Sequence, residues 1–148
     1  MRKRTQARET ALKILYQMDM AEYALDQIFP SFWESHPAPP DVQEFTEQLV
    51  RGTHEHLKEI DQKIIQYTEN WQLNRMAVVD RNILRFAVYE LLFLDEIPPK
   101  VTINEAVNVA KKYSQDEAGK FVNGILDKIN HTEVHKPDSA AQAKDLDS

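Results

Sequence analysis

Apolar side chains recur at steps of three and four along most of the chain, the period of a helix with one buried face. The strongest instance is residues 76–93, where Met76, Val79, Ile83, Phe86 and Ala87, followed by Leu94, form one stripe. Leu84, Val88, Leu91 and Leu92 lie off that stripe, so the helix is apolar over most of its circumference and is expected to be wrapped by others. Ile97, Pro98 and Pro99 end it, because proline lacks a donor and restricts the residue before it. Glu90 falls inside the apolar stripe. A buried carboxylate is costly unless it is paired or protonated, so a basic side chain or backbone donors must meet it. Ile83, Phe86, Ala87, Leu91 and Ile125 are the expected core.

The same reading predicts a first helix over residues 5–22, with Ala11, Ile14, Leu15 and Met18 inward. Arg4 and Arg8 continue that stripe, so the helix end must either overhang the body or meet acids. Leu25, Ile28, Phe29, Phe32 and Trp33 suggest a short helical piece interrupted by Pro30, and residues 35–40 read as a loop. Val42, Phe45, Leu49, Thr53 and Leu57 give a clean helical pattern after a cap at Asp41. Ile60, Ile64, Ile65 and Trp71 continue it, with a break expected at Gly52 or around residues 57–60. Asn74 is a candidate cap for the central helix. Thr102, Ile103, Asn104 and Glu105 read as a capping box, and Asp116 as the cap of a last helix with Phe121, Val122, Ile125, Leu126 and Ile129 inward. No segment alternates like a strand. The prediction is an all-α domain of six or seven helices over residues 1–130, then a polar tail, frayed or disordered, over 131–148.

Composition narrows the chemistry. There are no cysteines, hence no disulfide framework, thiolate metal site or thiol nucleophile. Three glycines leave little scope for phosphate-cradling loops, and no P-loop, Rossmann fingerprint or nucleophile elbow is present. His131 and His135 share a helix face but sit among polar residues without further ligands, so no metal or other cofactor is expected. No run is long enough to span a bilayer and nothing resembles a signal peptide, which leads to the expectation of a cytoplasmic protein. The net charge of −6 argues against nucleic acid, but its distribution argues for it. Residues 1–13 hold Arg2, Lys3, Arg4, Arg8 and Lys13 against Glu9, a local excess of +4 that leaves −10 on the remainder. Such an arm can bind a polyanion where the rest of the body repels it. Lys111, Lys112, Lys120 and Lys128 form a second basic group. Phe121 beside Lys120 reads either as core or as a platform for a base with a lysine on the phosphate. Arg4 and Arg8 read equally as partners for acids of the body, Tyr16 as a half-exposed tyrosine, and Asp80 with Arg81 as a solvated pair.

The segments ARETALKILYQ (7–17), VDRNILRFAVYELL (79–92), IPPKVTINEAVNVAKKY (97–113) and KFVNGILDKI (120–129) together resemble the bacterial NusB family of transcription antitermination factors. The likeness runs to about residue 130 and is weakest over residues 24–56. It implies a non-enzymatic protein of two small helical bundles packed across each other. It also implies binding of boxA-type single-stranded RNA in ribosomal-RNA transcripts, together with the ribosomal protein that doubles as NusE. The pair would join other Nus factors on RNA polymerase and make it resist Rho-dependent termination. By position, the resemblance implies RNA contacts at Arg2, Lys3, Arg4, Arg8, Glu117, Lys120 and Phe121, and NusE contacts at Tyr16 and Asp80. Relatives often carry glutamate where Asp80 stands, so this contact has a shorter reach here. The same helical domain also resembles the front of some ribosomal-RNA cytosine methyltransferases. Without a glycine-rich cofactor motif or a cysteine, the chain would serve there only as an RNA-docking partner. A helical protein adaptor is the remaining alternative.

Overall fold

The computed structural model describes residues 2–21, 23–68 and 73–136. Among these the chain forms seven α-helices and no strand: α1 (Lys3–Met20), α2 (Leu25–Ser35), α3 (Pro40–Glu55), α4 (Leu57–Tyr67), α5 (Val78–Phe93), α6 (Pro99–Tyr113) and α7 (Ala118–Glu133), with a 3-10 turn at Leu73–Arg75 before α5. None of them is long and apolar enough to cross a membrane.

The apolar circumference of α5 has the expected consequence. This helix packs against α1, α3, α4, α6 and α7. Ile83, Leu84, Phe86, Ala87 and Val88 have no exposed surface, and Leu91 and Ile125 are also buried. α1 lies mainly on α3 and α5, while α6 and α7 pack on each other and on α5. Leu12 joins Ala11, Ile14 and Leu15 inside, whereas Met18 is only half-buried. Gly52, in the middle of a buried face of α3, does not break the helix. An added Cβ there would fall 2.0 Å from the Tyr89 ring, so glycine is what lets α3 approach α5. The break comes at His56 instead, whose backbone closes α3 and opens α4.

Several local expectations give way to tertiary packing. Pro30 lies inside α2 rather than interrupting it, with its ring in water and Ile28, Phe29 and Phe32 buried around it. Pro98 and Pro99 end one helix and start the next: α6 begins at Pro99, where a missing N–H costs nothing. Thr102 and Glu105 are therefore past the first turn and do not form a capping box. α7 begins after Glu117, not Asp116, and Ala77 rather than Asn74 precedes α5. Asp41 lies in the first turn of α3 rather than capping it.

The C-terminal boundary also moves. α7 continues through His131 to Glu133, whose carboxylate accepts from the Tyr67 hydroxyl at 2.6 Å and from Lys63 at 3.0 Å. Val134 packs on the core. Lys136 Nζ donates to the backbone carbonyls of Glu90 at 3.0 Å and Leu94 at 2.6 Å, closing the C-terminal end of α5. Residues 131–136 thus belong to the folded body, because polar side chains there find partners on α4 and α5 that a hydrophobic period does not reveal. The remainder of the expected tail, 137–148, and Glu22 and Trp71 lie outside the described residues.

Candidate nucleic-acid interface

The partner demanded by Glu90 is Arg8. Its Nε and Nη2 donate to the two oxygens of Glu90, each at 2.8 Å, and its Nη1 donates to Glu105 at 3.0 Å. Thr102 adds a bond to Glu90 at 2.9 Å, and Thr5 one to Glu105 at 2.6 Å. The side chains of Arg8 and Glu90 are 1% and 0% exposed. A planar guanidinium matched to a carboxylate in this way is a bidentate, charge-assisted pair, the arrangement that makes burial of both charges tolerable. Arg8 is therefore not at the surface expected to meet RNA. Its stripe position carries it under α5 and α6, and it ties the first helix to both.

The rest of the arm is more accessible but is also tied. Arg2 and Lys3 are exposed. Lys3 donates to Asp41 at 2.6 Å, and this hydrogen bond holds the Asp41 carboxyl below the usual carboxylate range. Arg4 is half-buried, its guanidinium 3.9 Å above the centroid of Phe45 on α3. The arm thus lies along α3 with a cation on an aromatic face.

The second group surrounds the start of α7. Lys120 and Glu117 are exposed and lie 3.9 Å apart, while Phe121 is half-buried against the core. A Cβ at Gly119 would sit 3.2 Å from the Lys111 side chain, so α6 and α7 lie close together here. Beside Phe121 opens a cavity of about 320 Å³. Met76 and Ala118 form its buried floor, Asp80 and Phe121 are half-buried in its walls, and Arg75, Ala77, Gln115 and Glu117 stand exposed at its mouth. Asp80 is not in a solvated pair with Arg81. It accepts from the Ser114 hydroxyl at 2.5 Å, while Arg81 pairs with Asp19 at 2.7 Å.

A seam joins the two groups. Lys112 and the Tyr113 hydroxyl both donate to Glu9 of α1, at 2.9 and 2.6 Å, and that bond raises the Lys112 ammonium above its ordinary value. The Lys13 ammonium lies 5.8 Å from the Tyr113 ring centre. Tyr16, one turn further on α1, is 40% exposed. Ser114, next to Tyr113, reaches Asp80, so Asp80 lies at the C-terminal end of α6. The arm and the α7 start do not lie side by side. From Glu105, which Thr5 touches, to Ser114, which Asp80 touches, nine residues of helical rise span about 14 Å. Exposed Lys13, Lys111 and Lys112 stand along that interval.

Sequence reasoning missed Arg75 and Gln115 at the cavity mouth, since an exposed side chain in a turn carries no periodic signal. It also missed Arg85, which bonds Asp61 at 2.8 and 3.0 Å and Asp19 at 3.0 Å. An arginine inside an apolar helix is a signal of the same kind as Glu90. Burial alone would raise the Asp19 carboxyl, but hydrogen bonds from Arg81 and Asn82 and the charges of Arg85 and Arg81 hold it below the ordinary range.

A family model described as the NusB family matches residues 5–131. The chain belongs to the NusB family. A transcription antitermination protein NusB from Anaeromyxobacter sp. is 51% identical over 128 residues, 86% of this chain and 89% of its own length. NusB from T. maritima, in a solved structure, has a TM-score of 0.82 at 41% identity, covering 89% of this chain and 93% of that one. A chain from the crystal structure of antitermination factors NusB and NusE in complex with dsRNA has a TM-score of 0.79 at 35% identity, covering 88% and 98%. The family match reaches from α1 into α7.

Proposed function

We propose that this NusB-family chain is a non-enzymatic, cytoplasmic transcription antitermination factor. It binds boxA-type single-stranded RNA of ribosomal-RNA transcripts together with a NusE-type ribosomal protein. With other Nus factors on RNA polymerase, the pair makes the enzyme resist Rho-dependent termination. The observation that carries this reading is the likeness, over 88% of the chain, to a chain from a crystal of NusB and NusE in complex with dsRNA, which supports RNA and NusE as partners.

On this reading RNA meets Arg2, Lys3 and Arg4 at one end and Glu117, Lys120 and Phe121 at the other, with Lys13, Lys111 and Lys112 between. Arg8 supports that surface from beneath by anchoring α1. NusE meets Tyr16 on α1 and Asp80 at the end of α6. The acidic remainder of the body repels RNA and restricts it to this strip.

The test is a titration of boxA-type RNA with the chain alone and with the NusE-type protein, at several salt concentrations. Affinity that falls as salt rises and improves with the protein partner is expected. Tyr16→Asp and Asp80→Lys should weaken the protein partner at unchanged helical circular dichroism. Absence of RNA binding in the presence of a bound NusE-type protein would overturn the reading in favour of a protein adaptor.

A further inference from the structure

We propose that the cavity between the end of α1, the α3–α4 break and α5 receives a tryptophan side chain from a protein partner, at a place separate from the face expected to meet a NusE-type protein. The proposal does not depend on RNA binding.

The cavity measures about 410 Å³, within the range of about 300 to 1,000 Å³ that ligand sites occupy. Leu15, Met18 and Leu57 give it an apolar wall, and Asp19, Asn82 and Arg85 a polar one. Tyr23 and His54 are exposed at its mouth. Leu15, Met18 and Asp19 share one side of α1, whereas Tyr16 and Met20, one turn apart, share another. Met20 and Tyr23, 59% and 53% exposed, extend apolar surface past the cavity. Flanking residues of a polypeptide can cover that margin, which a free small ligand would leave in water.

The polar wall selects what enters. Arg81 Nε, Asn82 Nδ2 and Arg85 Nη1 all donate to Asp19 Oδ2, at 2.7, 2.9 and 3.0 Å. Among the described residues nothing donates to Oδ1. The donors around it are largely spent. Asn82 also bonds the Val78 carbonyl, and Arg85 grips Asp61 with two nitrogens and reaches the Asn82 oxygen with Nη1. The charges of this wall cancel, Arg81 and Arg85 against Asp19 and Asp61. An added cation would compete with two arginines for one carboxylate, and an added anion would meet Asp19. A neutral group that only donates fits the free oxygen. The indole N–H is such a group, and its ring buries on Leu15, Met18 and Leu57 beside the Tyr23 ring. Tryptophan is also a frequent anchor at the centre of protein interfaces.

Nuclear magnetic resonance of the full chain, titrated with N-acetyltryptophanamide and with its N-methylated indole analogue, reads the site directly. Shifts at Leu15, Met18, Leu57 and Asn82 are expected. The methylated analogue should bind about tenfold more weakly, as for loss of a hydrogen bond to a charged group. Tyr23→Ala, at an exposed position, should weaken the probe at unchanged helical circular dichroism. Asp19→Asn should abolish the preference for the unmethylated indole, because the amide turns its oxygen to the arginines and its NH2 to the cavity. Equal binding of the two indoles by the parent, shifts centred elsewhere, or tighter binding of N-acetylargininamide or N-acetyltyrosinamide would overturn the proposal. Displacement of the probe by a NusE-type protein would assign the cavity to that partner's site and overturn it as well. Failure of a NusE-type protein to bind the chain would overturn the proposed function and leave this site standing.

Discussion

Arg8 and Lys120 are both cations at the ends of basic, helix-forming segments, yet the Arg8 side chain is 1% exposed and that of Lys120 is 86% exposed. Arg8 lies on the inward stripe of α1, so folding drives it against Glu90 and Glu105, and its donors are spent on carboxylates. Lys120 occupies an outward position of α7, next to a ring that reaches the core edge. Equal formal charge thus has two fates: one cation is buried and ties helices together, the other stays in water beside Glu117. The lesson is that position on the helix, not charge density along the chain, separates a buried structural cation from an exposed one.

The largest effect should come from breaking the buried side of this comparison. Arg8→Ala leaves Glu90 buried and uncompensated, so denaturant unfolding should show a loss of about 3–5 kcal/mol. In whatever fraction stays folded, the salt slope of RNA binding should match that of the parent, because the Arg8 side chain is buried. A lowered slope would put Arg8 at the surface. On the exposed side, Phe121→Ala should weaken boxA-type RNA by about 1–3 kcal/mol, the usual worth of a stacked base, with little change in salt slope.

Lys136 is an intermediate case, a half-buried cation bound to two backbone carbonyls of α5. Lys136→Ala should lower stability by about 1 kcal/mol, as for a typical hydrogen bond, while removal of residues 137–148 should leave the melting temperature unchanged. Lys120→Ala should reduce the salt slope by about 0.7, the value for one single-strand phosphate contact, without altering the melting temperature.

The smallest effect is confined to acid. Asp19, held below its ordinary value by Arg81, Asn82 and Arg85 against the cost of burial, has a lower folded than unfolded pKa. Its contribution is complete above the unfolded value of about 3.9 and is lost as pH falls below it through the folded value. Asp19→Asn should remove that part of the acid limb of the stability profile while lowering stability at neutral pH.

Read alone, the sequence determined the all-helical class, the central place of α5 and nearly all of its core, because a period of three to four apolar residues is a local property that any packing must satisfy. It also required a cation for Glu90, since burial of an unpaired carboxylate is too costly. It could not say that this cation is Arg8, separated from Glu90 by 82 positions, because no local rule links side chains that far apart. For the same reason Thr102 and Glu105 read as a capping box but serve a network between three helices, and residues 131–136 read as tail but dock on α4 and α5. The cavity beside Phe121 had no trace in the sequence. Its lining comes from the turn before α5, the first turn of α5, the α6–α7 connection and the start of α7, and only folding brings those four stretches around one space.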